Sequence, residues 1–222
     1  MHKKESALEI LLHQKMLPLF YHDSAEKSIR ILESLYKAGI RTVEYTNRGE
    51  KALSNFIRIK KAAGTNLPDM KIGIGTIKNK DQAQQYVDAD ADYIVCPSMN
   101  KKVAAVARKA GLLWIPGCMT PTEIASAENS GASVVKIFPG NILGPAFISS
   151  VKELFPNLLF MPTGGVEINQ QNLRSWFDVG VCAVGLGSKL ISKDIVERED
   201  YNTIEQKTTE ALQIIKNLNT PS

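Results

Sequence analysis

Two ionisable residues stand in runs that are otherwise apolar or β-branched. Lys136 interrupts Ser133-Val-Val-Lys136-Ile-Phe-Pro139, and Glu44 lies within Ile40 to Thr46. An uncompensated charge inside an apolar strand is costly, so such a lysine pairs with a carboxylate or gives up its proton. A free amine on a rigid strand is the nucleophile that forms Schiff bases with carbonyl compounds. Two plainer readings compete: a lysine that snorkels its charge to water, and a buried lysine–glutamate pair that serves structure alone. Strand side chains alternate, so Val43 and Tyr45 share one face while Thr42, Glu44 and Thr46 share the other. The same parity separates Val135 and Ile137 from Val134, Lys136 and Phe138. If the apolar pairs pack on helices, the amine and the carboxylate both point inward, as carbon-acid chemistry requires.

Further candidates sit at the ends of predicted strands. Gly73-Ile-Gly-Thr76 lets something approach the backbone closely and sets a hydroxyl at the rim. Arg48 offers a fork of donors for a carboxylate, or is a solvated loop arginine. Pro162-Thr163-Gly164-Gly165 and Gly185-Leu-Gly-Ser188 are glycine-rich loops of the kind whose backbone N–H groups cradle phosphate. Gly185-x-Gly187 lacks the third glycine of a dinucleotide fingerprint. Of the histidines, His2, His13 and His22, only His22 lies near a strand end.

The elements that would position these residues alternate regularly. A short leading helix over Ser6 to Gln14 precedes eight strand–helix units. The strands are Met16–Tyr21, Ile40–Thr46, Lys71–Ile77, Tyr93–Cys96, Leu112–Ile115, Val134–Phe138, Leu158–Pro162 and Val181–Gly185. Predicted helices start at caps such as Ser24, Asn79 and the box Thr120-Pro-Thr-Glu123, and stop at glycines such as Gly39, Gly64 and Gly111. Phe147 to Phe155 predicts the helix after the lysine strand, and Tyr201 to Leu218 the last. Short connections with no linker predict a (β/α)8 TIM barrel as a single domain over 1–222. An open doubly wound sheet is the competing arrangement. In a barrel, the candidates named above would all lie at the C-terminal end of the strands, where such folds carry their sites.

With 222 residues, 44% of them hydrophobic, the chain can bury a sizeable core. Its net charge of +4 is spread among interspersed acids and bases, which fits a small anionic ligand and argues against nucleic acid. Cys96, Cys118 and Cys182 form no CxxC pair and read as buried small hydrophobes of a reducing compartment. The first residues do not read as a signal peptide, and no apolar run approaches the ~18 residues of a membrane span. A cytoplasmic protein without a membrane partner is expected.

Together these pieces resemble the bacterial 2-keto-3-deoxy-6-phosphogluconate (KDPG) and 4-hydroxy-2-oxoglutarate (KHG) aldolase family. The matching segments are Val43-Glu-Tyr-Thr-Asn-Arg48, Gly73-Ile-Gly-Thr76, Ile94-Val-Cys-Pro97, Ile115-Pro-Gly117 with Thr120-Pro-Thr-Glu123, Val135-Lys-Ile-Phe-Pro139, Pro162-Thr-Gly-Gly165 and Gly187-Ser188, in the family's order. The resemblance implies a (β/α)8 barrel, usually a homotrimer, that acts on a small keto acid by class I aldol chemistry with no metal or cofactor. It assigns the Schiff base to Lys136 and the general acid/base to Glu44. It gives the pyruvate carboxylate to Arg48 and Thr76, the lining to Pro97 and Thr163, and the substrate phosphate to Gly164, Gly165 and Ser188. The sequence departs from the family's usual residues at Gly49, Ser98 and Lys189 and in the loop Gly140 to Pro145, around the aldehyde and phosphate end. A sugar-phosphate isomerase or epimerase, and a non-catalytic phosphometabolite-binding barrel, remain as the other functional classes.

Overall fold

The architecture is that of a computed structural model, which describes residues 3–218. The chain opens with α1 (Lys3–Gln14), β1 (Met16–Phe20), α2 (Ala25–Lys37), β2 (Thr42–Thr46), α3 (Ala52–Asn66) and β3 (Lys71–Gly75). It continues through α4 (Lys80–Asp88), β4 (Tyr93–Val95), α5 (Lys101–Lys109), β5 (Leu113–Ile115), β6 (Gly117–Cys118), α6 (Pro121–Asn129) and β7 (Val134–Ile137). It closes with α7 (Gly140–Val151), β8 (Leu159–Pro162), α8 (Gln170–Phe177), β9 (Val184–Leu186), α9 (Lys193–Glu197) and α10 (Tyr201–Leu218). His2 lies outside the described residues.

Local chemistry explains most boundaries. The Ser24 hydroxyl accepts from the Lys27 N–H, Asn79 accepts from Asp81 and Gln82, and Thr120 and Glu123 form a reciprocal capping box with Pro121 at the first helical position. The predicted fifth strand is observed as β5; Pro116, which has no N–H for a ladder, separates it from the unpredicted two-residue β6. Two expectations are corrected. Gly64 does not stop α3, which runs to Asn66, since a glycine on an exposed helix face costs only about 1 kcal/mol. Helix α7 begins at Gly140 rather than Phe147 and kinks at Gly144 (φ 68°), ahead of Pro145. Lys193–Glu197, which no predicted element covers, is a short helix that the Ser192 hydroxyl caps.

All strand pairings are parallel. One sheet runs β5-β4-β3-β2-β1-β9 and a second β6-β7-β8. The two meet at both edges. Pro116 joins β5 to β6 and its carbonyl accepts from Lys136 N–H at 2.8 Å, while Cys182 N–H donates to Phe160 O at 2.9 Å and Thr163 bridges Gly185.

Two apolar layers follow from the strand parity. The larger holds the outward faces, Val43, Tyr45, Ile72, Ile74, Val135 and Ile137, packed on the helices; the Tyr45 ring lies 5.5 Å from Phe20 and 6.3 Å from Phe56. The smaller holds inward residues, Leu17, Tyr93, Val95, Leu113, Ile115, Val134 and Met161, with Ala7 and Leu11 of α1 against them. Gln14 at the end of α1 donates to the carbonyls of Met16 and Thr42 and accepts from the N–H groups of Arg41 and Thr42, which fixes α1 to the starts of β1 and β2. Among the described residues, no helix is long and apolar enough to cross a membrane.

Candidate active site

The inner layer ends in polar groups toward the C-terminal side of the strands. Lys136 Nζ lies 3.5 Å from Glu44 Oε2, with Lys136 5% and Glu44 1% exposed. Each sits on an inward face, as the alternation predicted, and the ladder carries them there: Glu44 is paired with Leu19 and Gly73, Lys136 with Gly117 and Met161. The room for the carboxylate comes from Gly75. A β-carbon there would stand 1.8 Å from Glu44 Oε1, so no other residue leaves the acid where it is. The Phe138 ring centroid is 5.4 Å from Lys136 Nζ, a cation–π distance.

The next residue after β3 is Thr76, half-buried, with φ at 62°. A β-branched residue in the left-handed region is a backbone outlier whose strain, on the order of 1–3 kcal/mol, persists only where the surroundings hold it. Arg48 lies just past β2, exposed, and forms no ion pair among the described residues. Beside it, the Tyr21 hydroxyl occupies the place a β-carbon at Gly49 would take, 2.0 Å away, and donates to Asp23. Glycine at 49 and tyrosine at 21 therefore go together. Pro97 is half-buried above β4, with its carbonyl against Gly117, the ladder partner of Lys136.

Thr163 is buried just beyond β8, and its hydroxyl has no hydrogen-bond partner. Gly164 and Gly165 follow with φ at 89° and 72°. Two successive residues with positive φ turn their N–H groups in a way that glycine alone does cheaply. The Asn172 side chain clasps this loop, donating to Gly165 O and accepting from the Glu167 N–H, and Gly140 N–H donates to Thr163 O. Ser188 is exposed beyond β9, and Lys189 after it pairs with Glu167 at 3.0 Å. The sequence reading did not reach Asn172, Gly75 as the seat of the carboxylate, or the Lys189–Glu167 pair. Only the i+3 spacing of Asn169 and Asn172, at a helix start, hinted at the first.

Two other groups are engaged elsewhere. His22 Nδ1 accepts from Ser24 N–H within the loop after β1. Burial pushes the Cys96 thiol up to about 12, which keeps it neutral beside Lys136.

Residues 8–207 match the family model described as KDPG and KHG aldolase. The chain belongs to the KDPG and KHG aldolase family. It is 31% identical over 93% of its length to a 2-dehydro-3-deoxy-phosphogluconate aldolase of Treponema pallidum, 96% of which is covered. An enzyme of the same name from Haemophilus influenzae is 28% identical, over 96% of this chain and 98% of that one. A solved 4-hydroxy-2-oxoglutarate/2-dehydro-3-deoxyphosphogluconate aldolase superposes with a TM-score of 0.81 at 27% identity, covering 94% of this chain and 98% of the other. The relatives are aldolases by name, that is, carbon–carbon lyases.

Proposed function

We propose that this family member is a class I aldolase that cleaves a 2-keto-3-deoxy-6-phospho sugar acid or 4-hydroxy-2-oxoglutarate. The products are pyruvate and an aldehyde, glyceraldehyde 3-phosphate or glyoxylate. The observation that carries the reading is the buried amine–carboxylate pair, 3.5 Å apart, in a chain whose relatives are named aldolases. The Lys136 amine adds to the C2 ketone, and loss of water leaves an iminium. Glu44 then takes the C4 hydroxyl proton as the C3–C4 bond breaks, and the bonding pair moves through C3 into the iminium to give an enamine. The same acid returns the proton to C3, and water releases pyruvate from Lys136. Arg48 and Thr76 hold the substrate carboxylate, Pro97 and Thr163 line the cleft, and Gly164, Gly165 and Ser188 take the phosphate.

The scaffold we infer is a closed (β/α)8 barrel forming one domain. The continuity of β5 into β6 through Pro116 at one edge, and the bond from Cys182 N–H to Phe160 O with the Thr163–Gly185 bridge at the other, support it. A homotrimer in the cytoplasm is the setting that family resemblance supports.

The test is trapping. Pyruvate with borohydride should add one reduced adduct, mapped by mass spectrometry to Lys136, and Lys136→Met should abolish both the adduct and cleavage while keeping the fold. No adduct, or one spread over surface lysines, would sink the assignment.

A further inference from the structure

Among the described residues, four buried side-chain atoms have no hydrogen-bond partner: Glu44 Oε2, Thr46 Oγ1, Thr163 Oγ1 and Trp176 Nε1. Native folds leave few such groups, because an unpaired buried hydroxyl is destabilising. Trp176 belongs to the outer helix layer. Thr46 closes β2 and Thr163 follows β8, while Glu44 stands mid-β2 at 3.5 Å from Lys136. Glu44 and Thr163 have roles in the reaction proposed above, and Thr46, fully buried, has none.

Its position is informative. Thr46 follows Glu44 by two residues on the same inward face, and its ladder partner is Gly75, which presents no side chain. The backbone of Glu44 pairs with Gly73, yet its carboxylate reaches along the strands to lie over Gly75. The acid is therefore brought to the level of the Thr46 hydroxyl. The two do not bond each other, since Thr46 Oγ1 has no hydrogen-bond partner and Glu44 Oε2 has none either, its nearest charge being Lys136 Nζ at the ion-pair distance of 3.5 Å. An acceptor and a hydroxyl at one level, unbonded in a buried place, are suited to a shared third group with two protons to give and lone pairs to accept.

We propose that Thr46 is a positioning residue: its hydroxyl and the Glu44 carboxylate together hold the water that relays the proton between Glu44 and the C4 oxygen of the substrate. The proposal rests on the class I aldolase reading. The proton leaves the C4 hydroxyl for the water as the water gives one to Glu44, and the C3–C4 pair flows into the iminium, so the relay carries no net charge away. The bland account is that Thr46 is a β-branched strand residue, for which valine would serve as well.

Thr46→Val and Thr46→Ser separate the two. If the relay is right, Thr46→Val lowers kcat about tenfold, the order of one well-placed hydrogen bond, and leaves KM within about twofold. Its melting temperature is not lowered, because valine fills the space without an unpaired hydroxyl. Trapping of pyruvate on Lys136 proceeds at the wild-type rate, since imine formation does not need the C4 proton. Thr46→Ser restores most of the turnover. Thr46→Ala, which needs no added room, should lose turnover as valine does. Wild-type kcat in the valine or alanine variant overturns the proposal, as does a loss confined to KM or a serine variant as slow as valine. A wild-type chain that traps no pyruvate fails at the aldolase reading itself and takes this inference with it.

Discussion

Lys136 and Glu44 project from the middles of β7 and β2, in ladders that fix their direction, and are all but removed from water. Gly164, Gly165 and Ser188 lie in loops beyond β8 and β9, where Gly165 and Ser188 are exposed. The first region is specified by strand period. Shifting either strand by one residue would turn its functional group onto the helices. The second depends on a few backbone angles and on the Asn172 clasp. Departures from the family pattern follow the same division: they fall at Gly49, Ser98, Lys189 and Gly140 to Pro145, and none falls on the amine–carboxylate pair. The amine–carboxylate pair is thus held by the strands, and under the proposed function the reading of substrate ends falls to the loops.

The division can be broken most forcefully at Glu44. Glu44→Gln keeps the shape that Gly75 accommodates but removes proton transfer, so kcat should fall by roughly two to four powers of ten. It also leaves a buried amine without its counter-charge, so a lowered melting temperature should accompany the loss. Borohydride trapping of pyruvate should survive in part. Near-normal turnover would place the base elsewhere, and His22, with Nδ1 already engaged, would have to use its other nitrogen.

A smaller, selective effect is expected at the loop end. Gly165→Val meets both a φ of 72° and a β-carbon contact 2.8 Å from Asn141 Cα. The loop must shift, and kcat/KM for a 6-phosphorylated 2-keto-3-deoxy acid should drop by about tenfold to a hundredfold, because remote binding energy is lost. The unphosphorylated counterpart should change far less. If both substrates are cleaved equally and neither responds to the valine, phosphate is not read here, and 4-hydroxy-2-oxoglutarate becomes the better substrate assignment.

The same contrast governs what the sequence made legible. Parity placed Glu44 and Lys136 correctly because a period of two is unambiguous in a strand, and the cap at Ser24 and the span of α10 were equally direct. The two-residue β6 was invisible, since Pro116 ends one pairing and allows another within four residues. The early start of α7 was hidden by Gly144 and Pro145, which read as a loop until the kink is seen. Thr76 carries no sequence sign of its positive φ. Nor does Gly49 reveal that Tyr21, 28 residues earlier in the chain, claims its side-chain space. These are long-range packing facts, and residue type alone does not encode them locally.

The finest test concerns Lys189, which stands where the family usually has an aromatic. It is paired with Glu167, and both are about half exposed. Such a surface pair contributes little to stability, so neither Lys189→Met nor Glu167→Gln should move the melting temperature by more than a degree or two. Their effects on an anionic substrate should differ in sign. Losing Lys189 leaves the Glu167 carboxylate unneutralised two residues from Gly165 and should raise KM for the phosphorylated substrate by roughly two- to fivefold. Losing Glu167 frees the lysine beside the same loop and should lower KM by a similar factor. Both changes should shrink as salt rises from about 0.05 to 0.5 M, because exposed charges are screened within about 10 Å or less. Steady-state kinetics at the two salt concentrations measure this directly. Equal signs for the two variants, or effects indifferent to salt, would mean that the pair stands apart from the anion site and that the loop end recognises its ligand through backbone donors alone.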